Sequence, residues 1–212
     1  MLVEDANVTL HVCTLLWDAN VESKDFSAMY DESWVEKLYR SFRRNLTVPF
    51  RFLCWTDRRR EFAEPDIEQV VDLTLGLQGY SDCIKPYALG KPMILCGLDT
   101  LVLGNIDHLA EHVLSGGSFA LPRDPYRPDI ACNGVALCPG MVEIHINHRG
   151  ENDMEHVRKF PHVFLDDVFP GEVKSYKGHV KRRGWGGVKI VYFHGKEKPH
   201  ELSDRVIKEH WV

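Results

Sequence analysis

Ile94-Leu95-Cys96-Gly97-Leu98-Asp99-Thr100 decides how this chain is read. An apolar run that ends in a carboxylate suits a strand whose body is fixed in a core. Its end then presents a charged group at a defined place on the sheet edge. Residues 92–98 are the most apolar strand candidate in the sequence, and they run directly into Asp99. A lone strand-end aspartate is more often a turn or helix-cap residue, so the stretch takes its meaning from what surrounds it.

Upstream, residues 8–17 read as a buried strand and residues 31–45 as a helix. In the helix, Trp34, Val35, Leu38, Tyr39 and Phe42 recur at helical spacing, and Asp31 or Ser33 can cap its start. Residues 50–55 form a second strand candidate, ended by Thr56-Asp57, and residues 68–73 a short third. Strand, helix, strand, strand implies an α/β fold with a central, mostly parallel sheet flanked by helices. In such sheets ligands sit beyond the carboxyl ends of the strands, where Asp57 and the loop after Trp17 fall. Downstream, residues 85–89 suggest a short helix broken near Gly90 and Pro92, and residues 101–103 continue extended. Residues 106–114 look helical, 118–121 and 135–138 strand-like, 150–160 helical, and 189–193 a final strand. Residues 184–187 read as a turn. No internal repeat or low-complexity tract interrupts the chain, so residues 1–212 are expected to form one domain.

The bulk numbers agree with a folded α/β core. The chain has 212 residues, 44% hydrophobic and 27% charged, within the ordinary soluble range. A net charge of -5 argues against nucleic acid as a partner. No segment is apolar and long enough to span a bilayer, and residues 1–5 lack the basic head and apolar run of a signal peptide. The six cysteines form no CxxC pair, and Cys13, Cys54 and Cys96 sit in apolar runs. They read as buried, reduced thiols, and a cytoplasmic location is expected.

A second polar cluster, Phe193-His194-Gly195-Lys196-Glu197-Lys198-Pro199-His200, lies late in the chain. A histidine and a carboxylate can share a divalent cation that bridges a diphosphate. Lys198 can neutralise phosphate as a mobile point charge, and Gly195 permits close backbone approach. Together these parts suit departure of a nucleoside diphosphate. The late motif has the form His-Gly-x-x-Lys-Pro, and Gly97-Leu98-Asp99-Thr100 the form of Asp-x-Asp-Thr with its first acid missing. On these motifs the chain resembles GT-A glycosyltransferases, in particular small relatives of the glycogenin and lipopolysaccharide galactosyltransferase group. The resemblance runs collinearly through residues 38–52 with Thr56-Asp57, Asn133-Gly134-Val135, Phe169-Pro170-Gly171 and Ser175-Tyr176-Lys177.

That resemblance implies a GT-A-like fold and metal-assisted transfer of a sugar from a nucleoside-diphosphate sugar to an acceptor hydroxyl. Asp99 and His194 would hold Mn²⁺ or Mg²⁺, and Lys198 would contact the phosphates. The wider donor-binding set would be Asp57, Lys85, Asn133, Gly134, Gly195 and Lys198. No residue is assigned as nucleophile or base. Gly97 is the main departure, since one anionic oxygen fewer weakens a hard-cation site. The cation could bind through Asp99, His194, diphosphate and water; Asp82 could substitute; or the protein could bind donor without turning it over. Asn152 and Asp153 stand where relatives carry a Gly-Asp-Gln segment, and a capped helix start explains them equally well. His145, Asn147 and His148 read as an exposed polar segment rather than a metal site. The basic run at Lys177, His179, Lys181, Arg182 and Arg183 divides evenly between a solvated face and an anion-binding rim. The rival readings are a binding or scaffold protein on the same fold, a nucleotidyltransferase, and an interaction domain with no small-molecule site. A nucleotidyltransferase would carry a glycine-rich basic loop after the first strand, which residues 15–23 lack.

Overall fold

The computed structural model of the protein describes residues 9–212. Residue 8 of the first strand candidate and residues 1–5 lie outside the described residues. Elements follow in the order β1 (Leu10–Leu16), α1 (Lys24–Ser27), α2 (Glu32–Asn45), β2 (Phe50–Thr56), β3 (Ile67–Val71), a 3-10 helix (Gly79–Leu89), β4 (Met93–Cys96) and β5 (Thr100–Val102). Next come α3 (Asp107–Leu114), β6 (Ala120–Leu121), β7 (Val135–Cys138), α4 (Glu143–Ile146), α5 (Asp153–Val157), β8 (Val163–Phe164), α6 (Leu165–Val168) and β9 (Val173–Ser175). A π-helical turn (Tyr176–Val180), α7 (Lys181–Arg183), β10 (Ile190–Tyr192), a short 3-10 turn (Pro199–Glu201) and α8 (Arg205–His210) complete the chain.

Seven strands form one mixed sheet in the order β3-β2-β1-β4-β7-β6-β8. The β3-β2, β2-β1, β1-β4 and β6-β8 pairs are parallel, and β7 runs antiparallel to β4 and β6. This is the mostly parallel sheet that the strand-helix alternation implies. Alternation along β1 sorts its side chains onto two faces. Leu10, Val12 and Leu16 pack with Trp34, Val35, Leu38 and Phe42 of α2. Cys13 packs on the other face with Ile84 and Tyr87 of the long 3-10 helix. Burial on both faces explains the unbroken apolar run. Asp31 caps α2 by accepting from Ser33 N at 3.0 Å.

A smaller sheet, β5-β10-β9, lies apart from the first. β10 runs antiparallel to β5, with Tyr192 opposite Thr100 and Ile190 opposite Val102. It runs parallel to β9, with Tyr192 opposite Ser175. The short strands β8 and β9 and the helical turns after residue 160 were not readable as elements, because runs of two to six residues carry no resolvable period. The 3-10 helix begins before residue 85, where Gly79 at φ 58° opens it. All six cysteines are free thiols, and only Cys83 is not fully buried. Among the described residues no helix is long and apolar enough to cross a membrane.

Candidate functional site

The strand order reverses direction between β1 and β4. Strands are added outward from β1 to β3 on one side and from β4 on the other. Such a switch point leaves a crevice beyond the carboxyl ends of the two strands. A cavity of about 490 Å³ lies there. The ends of β1 and β4, the start of α5, the long 3-10 helix and the 193–198 loop all contribute to its wall.

Asp99 does not end the strand as the sequence implies. β4 stops at Cys96, and Asp99 sits in the turn leading to β5. That turn is fixed from the far end of the chain. The β5-β10 pairing sets Tyr192 opposite Thr100, and Phe193 N donates to Asp99 O at 2.9 Å. His194 and Lys198 therefore arrive in the same wall as Asp99. Lys198 is buried, forms an ion pair with Asp99 Oδ2 and donates to Phe193 O at 2.7 Å. The Tyr30 hydroxyl donates to the same Asp99 oxygen at 3.0 Å. Burial first, and then the Asp99 charge, push the Tyr30 phenol far up, so it stays a donor.

His194 is half-buried, with Nε2 at 2.7 Å from Ser175 Oγ. Burial, followed by the nearby Lys177 ammonium, lowers its pKa below the usual 6.5. The ring is consequently neutral at pH 7. Ser175 Oγ also accepts from Gly178 N at 3.0 Å and so ties the π turn to His194.

Asn133 and Gly134 line the cavity, and their neighbours explain the sequence pair. A Cβ on Gly134 would lie 2.6 Å from Cδ2 of Tyr192, so only glycine fits against that ring. Asn133 Nδ2 donates to Asp153. Asn152 and Asp153, equivocal in sequence, take different jobs. Asn152 caps α5, accepting from Met154 N at 3.1 Å and Glu155 N at 3.3 Å. Asp153 is buried in the cavity wall, and burial raises its carboxyl above the usual range.

Three singled-out residues are not brought to the cavity. Asp57 accepts from Asp18 N at 2.9 Å and from Arg60 at 2.8 Å, clamping the ends of β1 and β2 together. Lys85 is engaged by Asp72 at 2.7 Å and Thr74 at 2.6 Å. Asp82 accepts from Gln78 N at 3.2 Å and lies 3.6 Å from Lys85. It therefore does not replace the carboxylate missing at Gly97. His148 is bonded to the Glu151 carbonyl at 2.8 Å while His145 and Asn147 are exposed, in keeping with a polar segment. Sequence reading missed Tyr30, and it quoted Ser175 within Ser175-Tyr176-Lys177 without giving it a role. Tyr30 lies in no recognisable spacing, and each of the two reaches the site only through tertiary packing.

Comparison with solved structures puts these features on a known framework. The glycosyltransferase GlyE of Streptococcus pneumoniae TIGR4 superposes with a TM-score of 0.61 at 14% identity, over 97% of this chain and 60% of GlyE. The fold is that of GT-A-type glycosyltransferases. The bifunctional glycosyltransferase WbbM matches this GT-A-like chain at 0.59 and 10% identity, over 93% of it and 48% of WbbM. An active-site mutant of LgtC matches at 0.62 and 9% identity, over 94% of this chain and 93% of LgtC. The chain thus spans about 60% and 48% of the first two, and nearly all of the third. No protein-family model and no curated protein sequence matches it.

Proposed function

We propose that this protein transfers a sugar from a nucleoside-diphosphate sugar to an acceptor hydroxyl. One observation carries the reading. The cavity at the switch point of a GT-A-type sheet gathers Asp99, His194 and Lys198 from two distant segments joined by the β5-β10 pairing. Tyr30, Tyr80 and Trp17 give the same wall an aromatic component suited to a nucleoside. In the reaction, the bond between the sugar's anomeric carbon and the diphosphate oxygen breaks with its electron pair on that oxygen. The acceptor oxygen bonds the anomeric carbon, and its proton leaves to water. Charge grows on the departing diphosphate, and a preorganised ammonium such as Lys198 stabilises it. Asn133 and Asp153, bonded to each other, supply polar groups for sugar hydroxyls.

GT-A-type sites commonly use a divalent cation, and Asp99 with His194 is the donor pair that would hold it. The donor set does not fit one. A hard cation on a diphosphate is held by one or two protein carboxylates together with phosphate and water oxygens, and this chain offers it less than that. Among the described residues no three His, Cys, Asp or Glu side chains are grouped to hold a metal. The single suitable carboxylate, Asp99, is already neutralised by Lys198 and bonded by Tyr30. Gly97 adds no ligand.

A screen of nucleotide sugars for release of the nucleoside diphosphate tests the assignment. Hydrolysis of one donor is the expected result. Absence of both binding and hydrolysis across the common uridine, guanosine, adenosine, cytidine and thymidine donors would remove it. Gly97 also favours a second reading, a donor-binding protein without turnover, for which the screen would return binding without release.

A further inference from the structure

The disagreement between the donor set and a metal has a partner elsewhere at the rim of the cavity. Lys177 is half-buried on the π turn, and among the described residues its ammonium makes no hydrogen bond or ion pair. A Cβ on Gly195 would lie 3.2 Å from Lys177 Nζ, and Gly195 itself lines the cavity. Gly195 adopts φ 64°, so a glycine both makes this turn and leaves the space beneath the ammonium open. The anchoring is specific. Ser175 Oγ holds both Gly178 N and His194, which fixes the turn carrying Lys177 to the loop carrying Gly195. Single π turns occur frequently at functional sites.

We propose that two lysine ammoniums, Lys198 and Lys177, carry the charge of the donor's diphosphate here in place of a divalent cation. This rests on the donor-binding reading above. The charge count supports it. Asp99 and Lys198 cancel, and Lys177, beside Gly195 at the rim, adds a positive charge that no ion pair among the described residues offsets. Asp153, the other carboxylate in the wall, is buried against Asn133. Glu197, beside Lys198 in sequence, is taken by Lys181. The second ammonium makes the rim more favourable to an anion than to a dication. Donor capacity supports it as well. An ammonium has three N–H groups. Lys198 spends two of them on Asp99 and Phe193 O and keeps one, while Lys177 spends none on the described residues. Gly97 belongs to the same arrangement, because a Cβ there would lie 2.8 Å from Asp99 Oδ1. A side chain at position 97 would push Asp99 from the position in which Lys198 holds it.

Calorimetry with UDP, GDP and ADP, each in excess EDTA and in saturating MnCl₂, tests the proposal. The tightest of the three is expected to bind equally in both buffers, to within about twofold. Lys177→Gln, at a partly exposed position with no hydrogen-bond or ion-pair partner among the described residues, should weaken it about tenfold, the value of one charge-assisted hydrogen bond. The same variant should leave the matching nucleoside's affinity and the melting temperature unchanged. Titration of Mn²⁺ alone, followed by loss of its free electron-spin-resonance signal, should show no binding to the wild type and binding to Gly97→Asp. Tenfold tightening by Mn²⁺ in the wild type would overturn the proposal and leave the donor reading standing. An unchanged diphosphate affinity in Lys177→Gln would overturn the role of that lysine. Failure of all three nucleotides to bind in either buffer would overturn the donor reading and the proposal with it.

Discussion

Replacing Lys198 with Met removes the ammonium and keeps most of the stem's bulk. The Asp99 side chain is 16% exposed and the Lys198 side chain 7%, so the carboxylate left behind is largely desolvated. Phe193 O loses its partner at 2.7 Å at the same time. Breaking a buried pair from one side costs about 3–5 kcal/mol. Asp99 keeps the Tyr30 hydroxyl and borders a cavity that admits water, which places the loss at the lower end, about 3 kcal/mol. Adding Asp99→Asn removes the charge that needed a partner. The double variant should therefore be more stable than Lys198→Met, with a coupling of about 2 kcal/mol in the cycle of single and double changes. Urea unfolding followed by circular dichroism measures it, and the single variant should melt about 6–12 °C lower. A cost under about 1 kcal/mol for Lys198→Met, or a double variant no more stable than the single, would refute the claim that this lysine neutralises a desolvated carboxylate.

Other substitutions probe the frame around the site. Arg60 is 2% exposed in its side chain and pairs with Glu32 at 2.9 Å, Asp18 at 2.9 Å and Asp57 at 2.8 Å. Arg60→Met should cost about 2–4 kcal/mol, less than a fully buried network because its partners touch water; urea unfolding reads it. Gly134→Ala drives a methyl into the Tyr192 ring and should cost about 1–3 kcal/mol by overpacking, with a weakened nucleotide-sugar affinity measured by calorimetry. Acid should loosen the β1 end. Hydrogen bonding from Arg58, aided by Arg60, holds the Asp18 carboxyl at about 2 against 3.8 unfolded. Its folded pKa is depressed, so its contribution is complete above 3.8 and is lost as pH falls toward 2. Melting temperature should fall through that window, and the fall should be shallower in Asp18→Asn.

The frame of the fold was legible in the sequence, and the completed site was not. β1, α2, β2 and β7 announce themselves because each is long enough, or apolar enough, to show its period. Asp99, His194 and Lys198 could be singled out because an apolar run or a glycine stands beside each. Their meeting could not be derived from spacing, since it depends on the pairing of two three-residue strands, β5 and β10. Asp57 and Lys85 carry the residue types expected of a binding site, yet Arg60 and Asp72 satisfy them locally. Charge identity does not reveal which partner a side chain finds. Lys177 illustrates the converse. It lay within a basic run that could equally be a solvated face, and only the π turn over Gly195 separates it from the four basic residues that follow.

Thermal melting with a panel of nucleoside diphosphates tests the central claim most directly. A ligand present at a hundred times its Kd stabilises by about 2.7 kcal/mol, which corresponds to a rise of about 5–10 °C for a chain of this size. The account predicts that at least one nucleoside diphosphate produces such a rise, that its nucleotide sugar does likewise, and that the nucleotide sugar is slowly hydrolysed. A melting temperature unmoved by every nucleotide in the panel, together with intact nucleotide sugars after prolonged incubation, would contradict it.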